Sequence, residues 1–419
     1  MKIEDLYKLY QKHFLVDTDT RKIRKNTIFF ALKGDNFNGN KFAEEALNKG
    51  AFCCVVDEEK YRTNEHIILV DNVLETLQKL ANYHRKQLAI PVIGLTGSNG
   101  KTTTKELINA VLSKKYKTNA TSGNLNNHIG VPLTLLSMNP DTEIGIVEMG
   151  ANHHGEIKLL SNIAAPSIGY ITNFGKAHLE GFGSVEGVIE AKSELYDFLI
   201  ANNKQILVNQ KDKIQVAKTE NADRIFLNNT LEFINAEPFV KLSYENIIIQ
   251  SNLIGSYNYP NIAAAITLGS YFNVDIREIK EAIEHYVSDN NRSQILKKGT
   301  NEIILDAYNA NPTSMKAALD NFNDYETNNK MVILGDMFEL GGDSEKEHQF
   351  IASLAEKASF SKVILIGENF YKSKVERALK FKQFKDFEDY IEPDKIVNMT
   401  ILIKGSRGMA LERSLDFFN

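Results

Sequence analysis

Cysteine is nearly absent from this chain. Its 419 residues hold two, Cys53 and Cys54, and they are neighbours. Adjacent cysteines make neither a zinc site nor an ordinary disulfide. Lying in Ala51-Phe-Cys-Cys-Val-Val56, they read as reduced residues of a buried strand. Long apolar runs are missing too. None reaches the ~18 residues of a membrane-spanning helix, so no membrane span is expected. The opening Met1-Lys-Ile-Glu-Asp-Leu6 has no signal-peptide core. Positive charge is not in surplus: 49 Lys and Arg stand against 54 Asp and Glu, a net charge of −5. That balance speaks against a nucleic-acid binder and gives no reason to invoke a membrane surface. Repeats and low-complexity segments are absent. What remains, 43 % apolar and 25 % charged residues, is the composition of a soluble globular protein. A cytoplasmic enzyme fits these exclusions.

The length exceeds one ordinary core, and three blocks are expected, at 1–88, 89–286 and 287–419. The first carries short strands (Thr27–Leu32, Phe52–Val56, His66–Val70) and a helix over Val73–Gln87, a small α/β module. In the second, brief apolar runs end in polar residues: Ile144–Val147 at Glu148, Ile168–Ile171 at Thr172-Asn173, Ile206–Val208 at Asn209. Helical stretches separate them, which predicts a mostly parallel α/β sheet with helices on both faces. The third block repeats the alternation, with strands at Ile303–Leu305, Met331–Leu334, Val363–Ile366 and Ile401–Ile403. Helices are expected over Ser314–Phe322, Glu345–Lys357 and Val375–Lys380, giving a second doubly wound sheet.

The most telling segment is Gly94-Leu-Thr-Gly-Ser-Asn-Gly-Lys-Thr-Thr-Thr-Lys105, between a strand-like and a helix-like run. A glycine-rich turn there points backbone N–H groups and a helix N-terminus at one spot, where a phosphate fits. Gly97, Ser98, Asn99, Gly100 and Thr103 form the cradle. Lys101 reaches the outer phosphates, and the Thr102 hydroxyl suits Mg²⁺. The general phosphate-loop pattern wants a glycine at position 95, which is leucine; Gly94 and Gly97 flank the slot. ATP or GTP is the expected ligand. Nucleoside triphosphate chemistry requires a divalent cation, and Mg²⁺ takes few ligands from protein. Glu148, at a strand end beside the loop, is the second candidate ligand. His178, in Asn173-Phe-Gly-Lys-Ala-His178, stands on the next strand's loop; a lone histidine is more often structural, and only that position favours a site role. Lys192, in Glu190-Ala-Lys-Ser-Glu194, reads from spacing alone as an ordinary helix-surface lysine. The cluster Thr121-Ser-Gly-Asn-Leu-Asn-Asn127 reads equally as a turn or as donors for a sugar or phosphate.

Together, Thr96–Thr102, Glu148-Met-Gly150, Asn173–His178 and Ala191-Lys-Ser-Glu194 resemble the Mur ligases, which build the peptidoglycan stem peptide in the cytoplasm. Tyr308-Asn-Ala-Asn-Pro312, Leu334-Gly-Asp-Met337 and Lys404-Gly-Ser-Arg407 are most similar to the member that adds the final dipeptide. The resemblance covers nearly the whole chain in order. It implies three domains: one for the UDP-sugar, one for ATP and a Rossmann-like lid. It implies acyl-phosphate chemistry on UDP-N-acetylmuramoyl-tripeptide, with D-Ala-D-Ala as the second substrate and a monomer as the working form. It also implies Thr102 and Glu148 on one Mg²⁺, and His178 with a CO₂-derived carbamate on Lys192 serving a second. Asn261 would meet adenine, Asp306 the ribose, and the hinge residue Arg292 the phosphates. Asp19-Thr20-Arg21 would cradle uracil, while Asn124, Asn126 and Asn127 would touch the UDP-muramoyl part. Asn309, Asn311, Lys404 and Arg407 would serve the substrate; the last two suit the dipeptide carboxylate.

Three positions depart from the family pattern. Asn38-Gly39-Asn40 stands where an Asp-Gly-His is common, Tyr257 replaces a histidine, and Leu305-Asp306 replaces an Asp-Asp pair. None removes a group the phosphoryl chemistry requires. The alternatives are a relative that adds a single amino acid, or glutamate to folate, and a phosphate-loop nucleotide-binding regulator.

Overall fold

The computed structural model describes residues 1–288, 290–327 and 329–418. Three large, mostly parallel sheets follow one another along the chain. The first has four parallel strands, in the order Val16–Asp17, Ile28–Phe30, Cys53–Val56, Ile67–Leu69. Both cysteines are free and buried in it, and burial pushes both thiols up to about 12. The helix Val73–Leu88 follows, with Asn72 accepting from the Glu75 N–H as its cap. It packs on Ile3–Tyr10 and on two helices of the second sheet, Gly130–Leu135 and Glu156–Ala164. One apolar cluster therefore runs from the first block into the second.

The second sheet has six parallel strands, ordered Asp223–Phe226, Gln205–Val208, Ile168–Ile171, Val92–Thr96, Ile144–Glu148, Thr118–Ala120. Val92–Thr96 is central and wholly buried, flanked by the strands that end at Ile171 and Glu148. Ligands of such sheets gather where neighbouring crossovers leave in opposite directions, at the carboxyl ends of the strands. The phosphate loop, Glu148 and Asn173 all stand there.

Sequence alternation did not suggest the small antiparallel sheet that follows, Leu231–Ala236, Phe239–Tyr244 and Ile247–Ile254. Its buried side, including Leu231, Val240, Leu242 and Ile249, joins the cluster around the phosphate-loop helix.

The third sheet is ordered Gln294–Lys298, Asn301–Asp306, Thr400–Lys404, Lys330–Gly335, Lys362–Ile366, Leu379–Phe381. Its first strand is an antiparallel edge, turned back at Gly299, whose φ of +55° suits glycine. The helix expected over Val375–Lys380 does not form. The Glu356 carboxylate accepts from the N–H groups of Glu376 and Arg377, which holds that segment open. Leu379 then pairs alongside Ile364 as a strand. Lost ladder bonds and a lost apolar contact outweigh the helical propensity of the segment.

Candidate functional site

Between the second and third sheets lies a cavity of about 630 Å³. Its walls include Ser98–Thr103, Asn124, Asn126, Asn127, Glu148 and His178 from one side, and Arg292, Asp306, Tyr308, Asn309, Asn311 and Lys404 from the other. Asn258 and Asn261 close the end near the loop.

The loop's backbone is held from behind. Gly97 has φ +148°, and a Cβ there would sit 1.9 Å from the Thr172 hydroxyl oxygen. That hydroxyl donates to the Asn99 carbonyl at 2.6 Å. Asn173 brackets the same residue, donating to its carbonyl at 2.9 Å and accepting from its N–H at 3.1 Å. Gly100 caps the helix Lys101–Leu112 at φ +80°, with the Asn261 amide 2.8 Å from where a Cβ would be. Thr172, Asn173 and Gly100 thus shape the cradle through close approach. The sequence places Thr172 and Asn173 at the end of a buried strand, where ligands gather, but nothing in their residue type announces that they brace the loop.

Lys101 folds back to donate to the Gly97 carbonyl at 2.6 Å. Burial pulls its pKa down, Glu148 pulls it up, and Arg292 pushes it down. Glu148 is 1 % exposed. One of its oxygens accepts from Asn126 at 2.8 Å; the other, Oε2, is buried without a partner. An unpaired buried carboxylate oxygen beside the loop fits a divalent cation. Among the described residues no three His, Cys, Asp or Glu side chains converge as a metal cage, so a cation there would complete its shell from hydroxyl, phosphate and water.

Lys192, which spacing places on a helix surface, is instead 1 % exposed. It sits in the helix Val185–Ala201 with its ammonium 5.4 Å from the Phe182 ring. No hydrogen bond or ion pair to it occurs among the described residues. Desolvation, with a smaller push from Lys101, brings its pKa down to about 7. His178 adopts a left-handed φ of +54°, and its Nδ1 bonds the Glu339 carboxylate of the third sheet.

The remaining residues divide. Asn127 spends its oxygen on the N–H groups of Ile129 and Gly130, closing the turn that leads into the helix Gly130–Leu135. Asn261 accepts from Thr104 and donates to Asn258. Asp306 pairs with buried Lys404 at 2.6 Å and accepts from the Ser293 N–H. Arg407 pairs with Glu412 and lines a second cavity of about 240 Å³, with Tyr308, Asn309, Asn311 and Glu339. Asp19 and Arg21 pair with each other at 2.7 Å on the first block, and neither they nor Thr20 line the main cavity. Asn40 is buried, bonded to Asn38 and Asp57.

Asn311 joins the two walls. Its Nδ2 donates to Asn99 Oδ1 at 2.7 Å while its Oδ1 caps the helix Pro312–Asp324. Lys176 adds an ion pair with Glu347 at 2.5 Å.

A strand–loop–helix phosphate cradle facing a second α/β sheet across one cleft is the arrangement of a nucleotide-dependent ligase, and comparison with known families gives the family. Residues 13–85 match the Mur ligase family, catalytic domain; residues 95–269 the Mur ligase middle domain; residues 291–407 the Mur ligase, glutamate ligase domain. The chain belongs to the Mur ligase family. Within it, the UDP-N-acetylmuramoyl-tripeptide--D-alanyl-D-alanine ligase of Bacillus subtilis is 35 % identical over 420 residues, covering 95 % of this chain and 91 % of that one. The Escherichia coli enzyme of the same name is 32 % identical, covering 95 % and 92 %. A crystal structure of MurF from Acinetobacter baumannii superposes with a TM-score of 0.83 at 29 % identity, covering 96 % and 92 %. That of the Thermotoga maritima MurF ligase in complex with ADP gives 0.82 at 25 % identity, covering 96 % of each chain. A Mycobacterium tuberculosis folylpolyglutamate synthase, at 13 % identity, shares the fold alone.

Proposed function

We propose that this chain joins D-Ala-D-Ala to UDP-N-acetylmuramoyl-tripeptide in an ATP-driven reaction that forms a C–N bond and releases ADP and phosphate. The observation that carries the reading is the single cleft in which the phosphate loop and Glu148 face the Tyr308–Pro312 loop across domains. Relatives alike along nearly the whole chain bear the same activity in their names. The tripeptide carboxylate attacks the γ-phosphorus, ADP departs, and an acyl phosphate forms. The dipeptide amine adds to the acyl carbon, and the tetrahedral adduct expels phosphate. Lys101 and Arg292 offset the charge that gathers as two anions meet. Thr102 and Glu148 would hold Mg²⁺; His178 and a carbamate on Lys192 would hold a second. Bound there, the cations would screen the phosphates and the attacking carboxylate from one another. The neutral amine that burial favours at Lys192 is the form that adds CO₂, which supports the carbamate.

Asn261 and Asp306 would bind the nucleoside, and Asn124 and Asn126 the muramoyl portion. Asp19, Thr20 and Arg21 would take the uracil end, with the blocks 1–88, 89–286 and 287–419 as sugar, ATP and lid domains. Arg407, exposed at the second cavity and bonded to Glu412 through one nitrogen, suits the dipeptide carboxylate better than Lys404, which is buried against Asp306. Such an enzyme works as a monomer in the cytoplasm. Purified protein with Mg²⁺, ATP and UDP-N-acetylmuramoyl-tripeptide should release phosphate on addition of D-Ala-D-Ala. Release that depends on a single amino acid and ignores the dipeptide would overturn the reading. So would ATPase activity that needs no acceptor.

A further inference from the structure

Arg292 is held in an unusual way. Its guanidinium carbon lies 3.8 Å from the centre of the Tyr308 ring, and no protein acceptor to its N–H groups occurs among the described residues. Its Nε is buried and unpartnered. An arginine that stacks on an aromatic face keeps its whole rim of donors free for an anion. The anion end of the cavity is close by, since Arg292 lines the same cavity as Lys101 and the phosphate loop.

Tyr308 is held through its backbone. Its N–H donates to the carbonyl of Asn291, the residue before Arg292, at 3.2 Å. Its ring forms part of both cavities. Arg407 approaches the same ring, 5.9 Å from its centre. One aromatic side chain thus has a guanidinium from each cavity near its ring, Arg292 from the first and Arg407 from the second.

We propose that Tyr308 is the positioning residue for Arg292. Its ring sets the plane of the guanidinium, and its backbone bond to Asn291 sets the height, so that the free N–H edge faces the outer phosphates of a nucleoside diphosphate or triphosphate. The inference rests on reading the main cavity as the nucleotide site. Tyr308 touches no phosphate itself and acts through Arg292. The stack replaces a carboxylate partner, which would have neutralised the cation and competed with the ligand.

The test is titration of ADP and AMP, with Mg²⁺, into the full-length protein and its variants. A cation–π contact of this kind is worth about 5- to 30-fold in affinity when desolvated. Tyr308→Leu should weaken ADP by about that factor and leave AMP unchanged, because AMP lacks the outer phosphate. Tyr308→Phe, which keeps the face and loses only the hydroxyl, should restore the preference for ADP. In an Arg292→Gln background, Tyr308→Leu should cost nothing further, the signature of two residues acting as a unit. Equal loss for ADP and AMP, a Phe variant as impaired as the Leu variant, or a full effect persisting without Arg292 would each overturn the proposal. Wild-type protein that binds neither nucleotide would overturn the nucleotide reading as well. Wild-type preference for ADP that survives Tyr308→Leu would overturn this inference alone.

Discussion

Burying a lysine ammonium without a counter-charge is strongly unfavourable, and the amine escapes by giving up its proton. Lys192 is in that position, with its pKa down to about 7 and only an aromatic face nearby. At neutral pH much of it is therefore the nucleophilic free amine. Loss of the amine in Lys192→Ala should lower ligase turnover by at least ~10²-fold, the scale of losing a group that orders charge at a metal or phosphoryl centre. Short carboxylic acids should restore part of the rate by supplying the missing oxygens. Turnover within tenfold of wild type would remove Lys192 from the reaction, and a dead variant that no acid rescues would remove the carbamate. The burial of this residue was not legible in the sequence. Glu190 and Glu194 flank it, and a charged stretch on a helix ordinarily faces water. Only the packing of Ala191, Leu195 and Tyr196 turns that face inward. That Lys101, Thr102 and Glu148 come together on one cavity was legible, because a phosphate loop and a strand-end carboxylate are marked by residue type and spacing.

At the scale of single elements, the helix Pro312–Asp324 has two tasks that meet in Asn311. The side-chain oxygen caps the helix, and the side-chain amide reaches the phosphate loop. Asn311→Ala removes both. It should lower the urea midpoint, a cap being worth about 1 kcal/mol, and should raise the KM for ATP. Asn311→Asp keeps the cap acceptor and loses the N–H donor to Asn99. It should therefore raise KM with little change in the midpoint. If the two variants fall together in both measurements, the interdomain bond has no part in nucleotide binding. The helix itself, like the buried parallel strands, was legible, since short continuous apolar runs between turn residues mark such strands. The antiparallel sheet over 231–254 was not. Phe233, Ile234 and Ile248 face solvent there and blur the alternation that would have marked it. The stretch Val375–Lys380 misled for the opposite reason: its local pattern is helical, and the Glu356 carboxylate overrides it.

Across the whole molecule, the three sheets are tied by contacts of differing chemistry. The second and third share an apolar cluster and add polar bonds to it, Asn311 to Asn99, Lys176 to Glu347 and His178 to Glu339. The first and second share an apolar cluster and a buried histidine, His84, between Tyr7 and the Met138 carbonyl. A carbonyl only accepts, so Nε2 donates to it at 2.8 Å and Nδ1 accepts from the Tyr7 hydroxyl. The rings of Tyr7, Tyr10 and Phe14 surround the imidazole and offer no negative charge. Burial therefore holds the His84 pKa below its ordinary 6.5. The unfolded chain takes up a proton at that ordinary value while the folded chain refuses it. Stability is then fully present above about 6.5 and falls as pH drops from there through the lower folded value, with a slope approaching ~1.4 kcal/mol per pH unit. His348, buried beside Phe370 in the third sheet, shifts in the same direction for the same leading cause. Urea midpoints measured from pH 7.5 to 5.5 should fall more steeply for wild type than for His84→Gln, which lacks the titrating group whatever its stability at pH 7.5. Parallel slopes would mean that the joint between the first two sheets does not resist protonation, and that carboxylates elsewhere account for the acid sensitivity.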